Sequence, residues 1–369
     1  MNDQKKDKIG IITVHKNTNF GANLQAFALN KYINNSGFNC ETIDYVPDDR
    51  ANHLISWLKL SWDREPNKTF KRKLKLGAAL LLSVGWKHKR LSCFQKFRKN
   101  NMRISPFCKT AEDIAKLGFD VIVCGSDQIW NPVIINGIDP IYWGDVGGKN
   151  KRISYAASVG KSGYESEHEK KVAELVKKMD GVSLREEDSA KYIASISGKE
   201  TACVCDPVFL LDKDEYLKII GKRKEKGRYV LVYSIVSNPE MMQIAEKYAE
   251  NNGLKLIELC QWKEKVNHKQ LPGYGPKEFL NLFYYADAIF TNSFHGAAFS
   301  IVFEKEFFAV NNINGGSRIT NLLNKAGIGD RLIDKYPDNV KPLDYNAVKE
   351  NMKEYIENSK EFLDMALSD

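Results

Sequence analysis

Short apolar runs alternate with amphipathic stretches along most of the chain, a pattern typical of strand and helix units. The runs "KIGIITV" (Lys8–Val14) and "FNCETIDYV" (Phe38–Val46) predict two buried strands. Between them, "ANLQAFALNKYINN" (Ala22–Asn35) carries apolar residues at helical spacing, and Gly37 follows as a stop signal. Two strands joined by a helix within about 40 residues predict a parallel βαβ unit.

The alternation continues through the first half of the chain. Apolar runs predict four further strands, at Phe119–Gly125, Arg152–Ser158, Gly181–Arg185 and Thr201–Pro207. An amphipathic stretch predicts a helix at Glu165–Met179. The charged segment "GKRKEKG" (Gly221–Gly227) then interrupts the pattern. We interpret this segment as a linker that ends a first domain of residues 1–220.

A second alternation follows the linker. Its predicted strands lie at Tyr229–Val236, Leu254–Cys260, Asp287–Phe290 and Glu306–Val310. Predicted helices lie between them, at Pro239–Gly253 and Pro276–Ala286. The chain is therefore predicted to be α/β, with two doubly wound, Rossmann-like domains (1–220 and 221–344) that face each other across a cleft in a glycosyltransferase-B-like arrangement. A last helix within 345–369 is expected to cross back to the first domain.

Charge is concentrated in one segment of the chain. The net charge is +8, and residues 51–104 carry 14 Lys and Arg against Asp63 and Glu65. We interpret this segment as a basic insertion in the first domain, suited to peripheral contact with an anionic membrane surface. A helical insertion with a solvated basic face is the alternative, and the absence of a nucleic-acid motif argues against a nucleic-acid partner.

Composition excludes several classes of protein. The seven cysteines are scattered without a C-x-x-C pair, and no carboxylate or histidine cluster has ligand spacing, so we predict neither disulfides nor a metal. The longest apolar stretch, Leu76–Trp86, is too short to span a bilayer. Without a signal-peptide pattern at the start, the expected location is the cytoplasm, and the basic segment adds a candidate peripheral contact with the inner face of the membrane.

Polar residues follow several predicted strands, where parallel sheets bind ligands. After the first strand, Asn19 and Gly21 open a helix whose free N–H groups could receive an anion. An Asn-rich helix cap is an equal alternative. After the strand that ends at Gly125, "GSDQIWNP" offers a proton acceptor and groups that contact a sugar. Asp127 is the candidate base, Ser126 and Gln128 are candidate sugar contacts, and Trp130 is a candidate for stacking on a sugar face. The alternative, a simple Asx turn without a binding function, is slightly favoured.

Two more such loops carry charge or a titratable group. Arg185, in "SLREEDS", ends a strand and could hold a carboxylate or phosphate, or form an ion pair with Glu186 or Asp188. The stretch "TNSFHG" follows the strand "DAIF" and ends in His295 and Gly296. The side chains and N–H groups of its Thr291, Asn292 and Ser293 are predicted to bind an anion of the substrate. His295 is a candidate general acid, with a structural histidine that caps the helix as the alternative. Arg318, after a double glycine, is a candidate second clamp for the same anion.

Six segments together resemble the polysaccharide pyruvyl transferase family. In chain order they are "IGIITVHKNTNFGANLQAFAL", "FDVIVCGSDQIWNP", "SLREEDS", "CDPVFLL", "GPKEFLNLFYYADAIFTNSFHGAAFSIVF" and "RITNLL". The resemblance implies transfer of an enolpyruvyl unit from phosphoenolpyruvate to two hydroxyls of a glycan sugar, with release of phosphate and no cofactor. The acceptor would be a cell-surface polysaccharide or its lipid-linked precursor.

The resemblance also implies roles for single residues. His295 matches the family's histidine before glycine, and Arg185 matches the arginine of its "RE..S" motif. Some members carry a basic residue two positions before the histidine, where this chain has Ser293. Either Arg318 supplies that charge or this chain recognises its donor differently. The alternatives are a glycosyltransferase that uses a nucleotide-sugar and a non-catalytic glycan- or lipid-binding relative.

Overall fold

The structure is a computed structural model, which describes residues 7–47, 70–160, 163–260, 266–311, 317–336 and 341–368. The first half of the chain (residues up to 220) holds one five-stranded sheet. Its strands are β1 (Lys8–Ile12), β2 (Asn39–Tyr45), β3 (Ile104–Cys108), β4 (Val121–Cys124) and β5 (Lys151–Ser154). They are parallel in the order β3-β2-β1-β4-β5. A parallel pair, β6 (Ser183–Leu184) and β7 (Ala202–Cys203), extends this sheet through bridges from Ile153 to Gly181 and from Ala157 to Leu184.

The second half (221–344) holds a second sheet. Its strands are β8 (Tyr229–Tyr233), β9 (Lys255–Leu259), β10 (Lys269–Gln270), β11 (Ala288–Thr291) and β12 (Glu306–Ala309). They are again parallel, in the order β10-β9-β8-β11-β12. Every residue of β4, β8 and β11 is buried, because helices cover both faces of a parallel sheet. This burial explains why these strands appear in the sequence as continuous apolar runs.

Helices connect the strands and cover the sheets. Those of the first half are α1 (Phe20–Asn35), α2 (Phe70–Asn101), α3 (Ala111–Ala115), α4 (Pro132–Ile135), α5 (Ser166–Lys177), α6 (Glu187–Ser197) and α7 (Lys213–Ile220). The second half has α8 (Pro239–Asn251), α9 (Pro276–Tyr285), α10 (Phe294–Val302) and α11 (Ser317–Lys325), and α12 (Tyr345–Ser368) follows it. Short 3-10 helices lie at Pro140–Trp143, Pro207–Phe209 and Gly329–Arg331.

The two sheets share one strand order, and this places the candidate site. In each sheet the chain reverses its direction of winding between two central strands, β1 and β4 in the first and β8 and β11 in the second. Ligands of doubly wound folds bind in the crevice at such a switch point. The α/β prediction with two doubly wound sheets is confirmed, and the loops that follow all four strands line one cleft.

The sequence prediction missed several short elements, among them the two-residue strand β10. The strand β3 was not predicted, because it is an edge strand with a Pro and two exposed residues and lacks a continuous apolar run. The later part of the basic segment is the long helix α2, whereas residues 51–69 lie outside the described residues. The domain boundary at Gly221 stays a prediction.

The last helix contacts residues of the first half. The Tyr32 hydroxyl donates to Asp364, and the Cys205 backbone N–H donates to Ser359 Oγ at 2.8 Å. In the described part of the chain, no helix has the length and apolar character needed to cross a membrane. The same residues contain no group of three side chains arranged to hold a metal ion.

Candidate active site

A cleft of about 1110 Å³ lies between the two sheets, at the carboxyl ends of their central strands. Seven of the predicted site residues line it: Asn19, Asp127, Gln128, Arg185, Asn292, His295 and Arg318. They come from the loops after β1, β4, β6 and β11 and from the first turns of α10 and α11. The fold therefore brings together residues that are up to about 300 positions apart in sequence.

His295 forms a buried pair with an aspartate that the sequence analysis did not select. Its Nε2 lies 3.4 Å from Asp206 Oδ2, and Asp206 is 1 % exposed. Burial alone would raise the pKa of Asp206, but His295 and Arg185 outweigh it and lower this pKa from 3.8 to about 2. Nε2 makes no hydrogen bond to a described residue, so the contact is electrostatic. An ionised Asp206 therefore lies next to the ring of the candidate general acid.

Arg185 lies at the centre of a group of carboxylates. Its Nη1 donates to Asp206 Oδ2 at 2.6 Å, its Nε donates to Glu186 Oε1 at 3.2 Å, and its Nη2 lies 3.5 Å from Asp127 Oδ1. Its side chain is 3 % exposed. Burial disfavours the charge, but the three carboxylates outweigh burial and raise the pKa of Arg185. The predicted ion pair with Glu186 is therefore present, and most of the guanidinium fork is already occupied within the protein.

Asp127 reaches the cleft from a strained backbone position. Its φ of 72° is in the left-handed region, which few non-glycine residues adopt. The surrounding chain holds it there, because its carbonyl accepts the N–H of Ser158 at 3.0 Å. The carboxylate is 19 % exposed, so it can contact both Arg185 and a ligand in the cleft.

Arg318 differs from Arg185 in its surroundings. It lines the cleft at the start of α11 and is partly buried. Burial and the nearby charge of Arg185 lower its pKa, although a guanidinium stays protonated at neutral pH. Among the residues that the structure describes, no carboxylate lies within ion-pair distance of it. Arg318 is thus a cation in the cleft that can bind an external anion.

The other residues of "TNSFHG" shape the loop around His295. Thr291 Oγ1 donates to the Tyr233 carbonyl at 2.8 Å, and Ser293 Oγ caps α10 by accepting the Gly296 N–H at 3.3 Å. Asn292 holds the loop after β8, since it accepts the Ile235 N–H at 2.9 Å and donates to the Val236 carbonyl at 2.7 Å. Each of these three residues is at most 1 % exposed. Their predicted contacts with substrate stay predictions.

The first turn of α1 meets the histidine directly. A Cβ at Gly21 would overlap the His295 ring, so only glycine allows this approach. Asn19 is the N-cap of α1, and its Oδ1 accepts the Ala22 N–H at 3.1 Å. The alternative of an Asn-rich helix cap thus describes the structure, and anion binding at this helix start stays a prediction.

The residues of "GSDQIWNP" divide into two groups. Asp127 and Gln128 line the cleft, but Trp130 is fully buried, stacks on Trp143 at 5.5 Å and donates through Nε1 to the Tyr142 carbonyl at 3.0 Å. The predicted stacking of Trp130 on a sugar is therefore wrong, because both its faces and its donor are used inside the core. Ser126 is also fully buried, donating to the Ala156 carbonyl at 2.8 Å. It holds the loop from within.

Asp206 is the main residue that the sequence analysis missed. It follows β7 in the segment "CDP", which ends a predicted strand just as the other site loops do. Its Oδ1 also accepts the Val208 N–H at 3.1 Å, which fixes the carboxylate at the start of a 3-10 helix. The position after a strand was the available signal, but a lone Asp before Pro is more often a turn or a cap.

Comparisons with known proteins agree with this architecture. The family model described as "Polysaccharide pyruvyl transferase" matches residues 19–314. No curated protein matches the chain. Among solved structures, UDP-GlcNAc 2-epimerase from Neisseria meningitidis bound to UDP-GlcNAc has 9% identity and a TM-score of 0.51, and the match covers 97% of this chain and 93% of that one.

Two further structures align over nearly their whole length. UDP-N-acetylglucosamine 2-epimerase from Rickettsia bellii has 12% identity and a TM-score of 0.49, with 98% of this chain and 96% of that chain covered. The ADP-heptose lps heptosyltransferase II of E. coli has 8% identity and a TM-score of 0.37, with 96% and 99% covered. Of these three structures, the Neisseria enzyme alone exceeds a TM-score of 0.5, and at its low identity it supports the fold and nothing more.

Proposed function

The chain belongs to the polysaccharide pyruvyl transferase family, and from this premise we propose that it transfers a pyruvyl group from phosphoenolpyruvate to a sugar. The acceptor is a sugar of a cell-surface polysaccharide or of its lipid-linked precursor. Two of its hydroxyls become bridged as a cyclic pyruvate ketal, and phosphate is released. The protein needs no cofactor for this reaction, since the donor carries the leaving group.

One observation carries the proposal. His295, which is paired with Asp206, lines the same cleft as Arg318, for which the described residues provide no ion-pair partner. Phosphoenolpyruvate carries a carboxylate and a phosphate, so its binding requires cationic groups. Arg318 is available for one of these anions, whereas Arg185 is occupied by Asp206, Glu186 and Asp127. We therefore assign the anion clamp to Arg318. To Arg185 we assign the positioning of the carboxylates, instead of the direct donor contact that the sequence predicted.

His295 is suited to deliver the first proton. We propose that the protonated imidazole gives its proton to the methylene carbon of the donor, which becomes a methyl group. The neighbouring carbon becomes an oxocarbenium-like centre, and the first sugar hydroxyl attacks it and loses its proton to Asp127. Asp206 stabilises the charged imidazole until the proton leaves, and Asp127 is close enough to the cleft to serve as the base.

The second half of the reaction completes the ketal. The carbon–oxygen bond to phosphate breaks, and the second hydroxyl attacks the same carbon. The two hydroxyl protons balance the reaction. One returns to the enzyme and replaces the proton that the acid gave to the methylene carbon, and the other leaves with phosphate. We propose that the same acid and base serve both steps, since His295 and Asp127 both line the cleft.

The experiment follows both products. The purified protein, phosphoenolpyruvate and candidate acceptor glycans are incubated in D2O, and phosphate release and the NMR spectrum of the glycan are measured. We expect a new ketal methyl group that carries one deuterium. A thermal-shift comparison with UDP- and GDP-sugars tests the glycosyltransferase alternative. Stabilisation by a nucleotide-sugar alone, without phosphate release, would refute the proposed donor.

Peripheral membrane contact is a separate proposal about the acceptor. The described end of α2 exposes His88, Lys89, Lys96 and Lys99 next to the exposed apolar side chains Val84 and Leu91. We propose that this face approaches an anionic surface when the acceptor is lipid-linked. Sedimentation with vesicles tests this, and equal binding to anionic and neutral vesicles would contradict it.

A further inference from the structure

Arg90 on α2 is a buried cation that bridges the two halves of the chain. It is 4 % exposed, and its Nη1 donates to the carbonyls of Cys260 and Pro272, both at 3.2 Å. Its Nη2 donates to the Thr18 carbonyl at 2.9 Å. Thr18 belongs to the first half and the other two residues to the second, so one planar fork joins the two halves that lie on either side of the cleft.

The surroundings of Arg90 are built for a guanidinium. No carboxylate of the described residues forms an ion pair with it, and its carbon Cζ lies 4.5 Å from the centre of the Phe20 ring and 5.3 Å from that of Phe94. Burial lowers the pKa of Arg90 to about 10, which leaves it charged at neutral pH. A buried charge of this kind is costly unless it is hydrogen-bonded, and three carbonyl oxygens accept three of the five guanidinium N–H groups here.

The segment that Arg90 holds leads directly into the candidate site. Thr18 precedes Asn19, which lines the cleft and caps α1, and Gly21 two residues later packs against the ring of His295. Phe20 stacks on Phe279 of α9 at 5.1 Å, so this turn of α1 already touches the second half. A shift of Thr18 relative to Pro272 would therefore move the wall against which the His295 ring rests.

We propose that Arg90 is a positioning residue for the transfer reaction, which sets the separation of the two cleft walls and thereby the place of the His295 ring. Only the activity readout of this inference depends on the proposed function. The same helix supplies a matched control. Arg98 donates to His15 O at 3.3 Å, Asn17 O at 3.2 Å and Asn23 Oδ1 at 2.9 Å, and all three belong to the first half.

Both arginines hold the loop after β1, but of the two only Arg90 also bonds to the second half of the chain. The test therefore compares Arg90→Lys with Arg98→Lys in the full chain. A lysine keeps the charge and loses the planar fork. We expect Arg90→Lys to lower kcat for phosphate release by about 100-fold, because a misplacement of about 1 Å costs that much. The donor KM should change little. Arg98→Lys should lower kcat far less, and equal losses in the two variants would overturn the proposal.

A second readout needs no substrate. Hydrogen exchange is measured on peptides that cover residues 16–22 and 266–275. We expect faster exchange in both peptides for Arg90→Lys and in the first peptide alone for Arg98→Lys. Unchanged exchange at 266–275 in Arg90→Lys would overturn the bridge between the walls. If the unmodified protein releases no phosphate from phosphoenolpyruvate, the proposed function fails, while this readout still decides on the bridge.

Chemical rescue separates positioning from stability. In Arg90→Ala, millimolar guanidinium can enter the space between Phe20 and Phe94, and we expect it to restore kcat and the slow exchange of both peptides. Methylammonium has the same charge without the fork and should not restore them. Failure of guanidinium to rescue a folded Arg90→Ala, or loss of the fold in both Arg90 variants, would make Arg90 a stability residue and overturn the proposal.

Discussion

Arg185 and Arg318 line the same cleft, yet they lie in opposite electrostatic surroundings. Arg185 follows a strand of the first half and is enclosed by Glu186, Asp206 and Asp127. Arg318 begins a helix of the second half, and no ion-pair partner is found for it among the described residues. The sequence suggested one function for both. The difference teaches that a cation at the end of a strand is available to a ligand only if the fold has not already neutralised it.

The comparison extends to the histidine between them. Asp206 contacts both Arg185 and His295, so the enclosed arginine fixes the carboxylate that supports the proposed acid. In the proposed mechanism Arg185 acts on the reaction through Asp206, whereas Arg318 acts on the donor itself. Variants of these residues should separate into effects on turnover, on folding and on donor binding.

The largest effect is expected for His295→Asn. Loss of the general acid should lower kcat by about 100-fold to 10,000-fold with the fold retained. Phosphate release from phosphoenolpyruvate measures it. His268→Asn is the matched control, because His268 Nε2 also contacts a carboxylate, Glu258 Oε2 at 2.9 Å, but does not line the cleft. Phosphate release at the normal rate in His295→Asn would remove His295 from the mechanism.

Arg185→Gln should mainly destabilise the protein. The substitution leaves three carboxylates near one another with no guanidinium, and breaking a buried ion pair costs about 3 to 5 kcal/mol of the free energy of unfolding. Urea unfolding measures this loss. A variant with normal stability and a raised donor KM would restore the direct donor clamp that the sequence predicted.

Arg318→Gln should do the reverse. Loss of a charged hydrogen bond to the donor costs about 1.5 to 3 kcal/mol, which corresponds to a rise in donor KM of roughly 10-fold to 100-fold. Stability should hardly change, since the guanidinium has no described carboxylate to leave unpaired. Steady-state kinetics and urea unfolding are measured together, and a fall in stability without a change in KM would make Arg318 a second structural arginine.

The stability of the network should depend on acid pH through Asp206. Its pKa is lowered from 3.8 to about 2, so its ionised form adds about 2 kcal/mol of stability above pH 4. Because the pKa in the folded protein is the lower one, this contribution is lost as the pH falls from about 4 to 2. We expect the stability difference between the unmodified protein and Asp206→Asn to shrink over that interval. A constant difference in urea unfolding would contradict the lowered pKa.

The smallest effect is expected for Ser293→Ala. Ser293 caps α10, and loss of a cap costs about 1 kcal/mol. The donor KM should stay nearly constant, since the side chain is 1 % exposed and directed at the Gly296 N–H. A tenfold rise in KM at unchanged stability would instead place Ser293 in contact with the donor, as the sequence predicted.

The sequence by itself determined the α/β fold and the loops in which the site lies. Strands that are buried on both faces appear as apolar runs, and the switch between runs and amphipathic stretches is a local property of the chain. The positions after β1, β4, β6 and β11 could thus be marked before any coordinates. An edge strand such as β3 could not be predicted in this way, because it is partly exposed and contains no continuous apolar run.

Only the tertiary structure decided which residues act together. In the folded chain Trp130 lies in the core, and carboxylates surround Arg185. Asp206 contacts His295, which lies 89 positions later in the chain. The tertiary structure also buried Arg90, one of the basic residues that the sequence assigned to a surface. The physical reason is that burial and ion pairing depend on distances between remote segments, and residue type and spacing contain no measure of those distances.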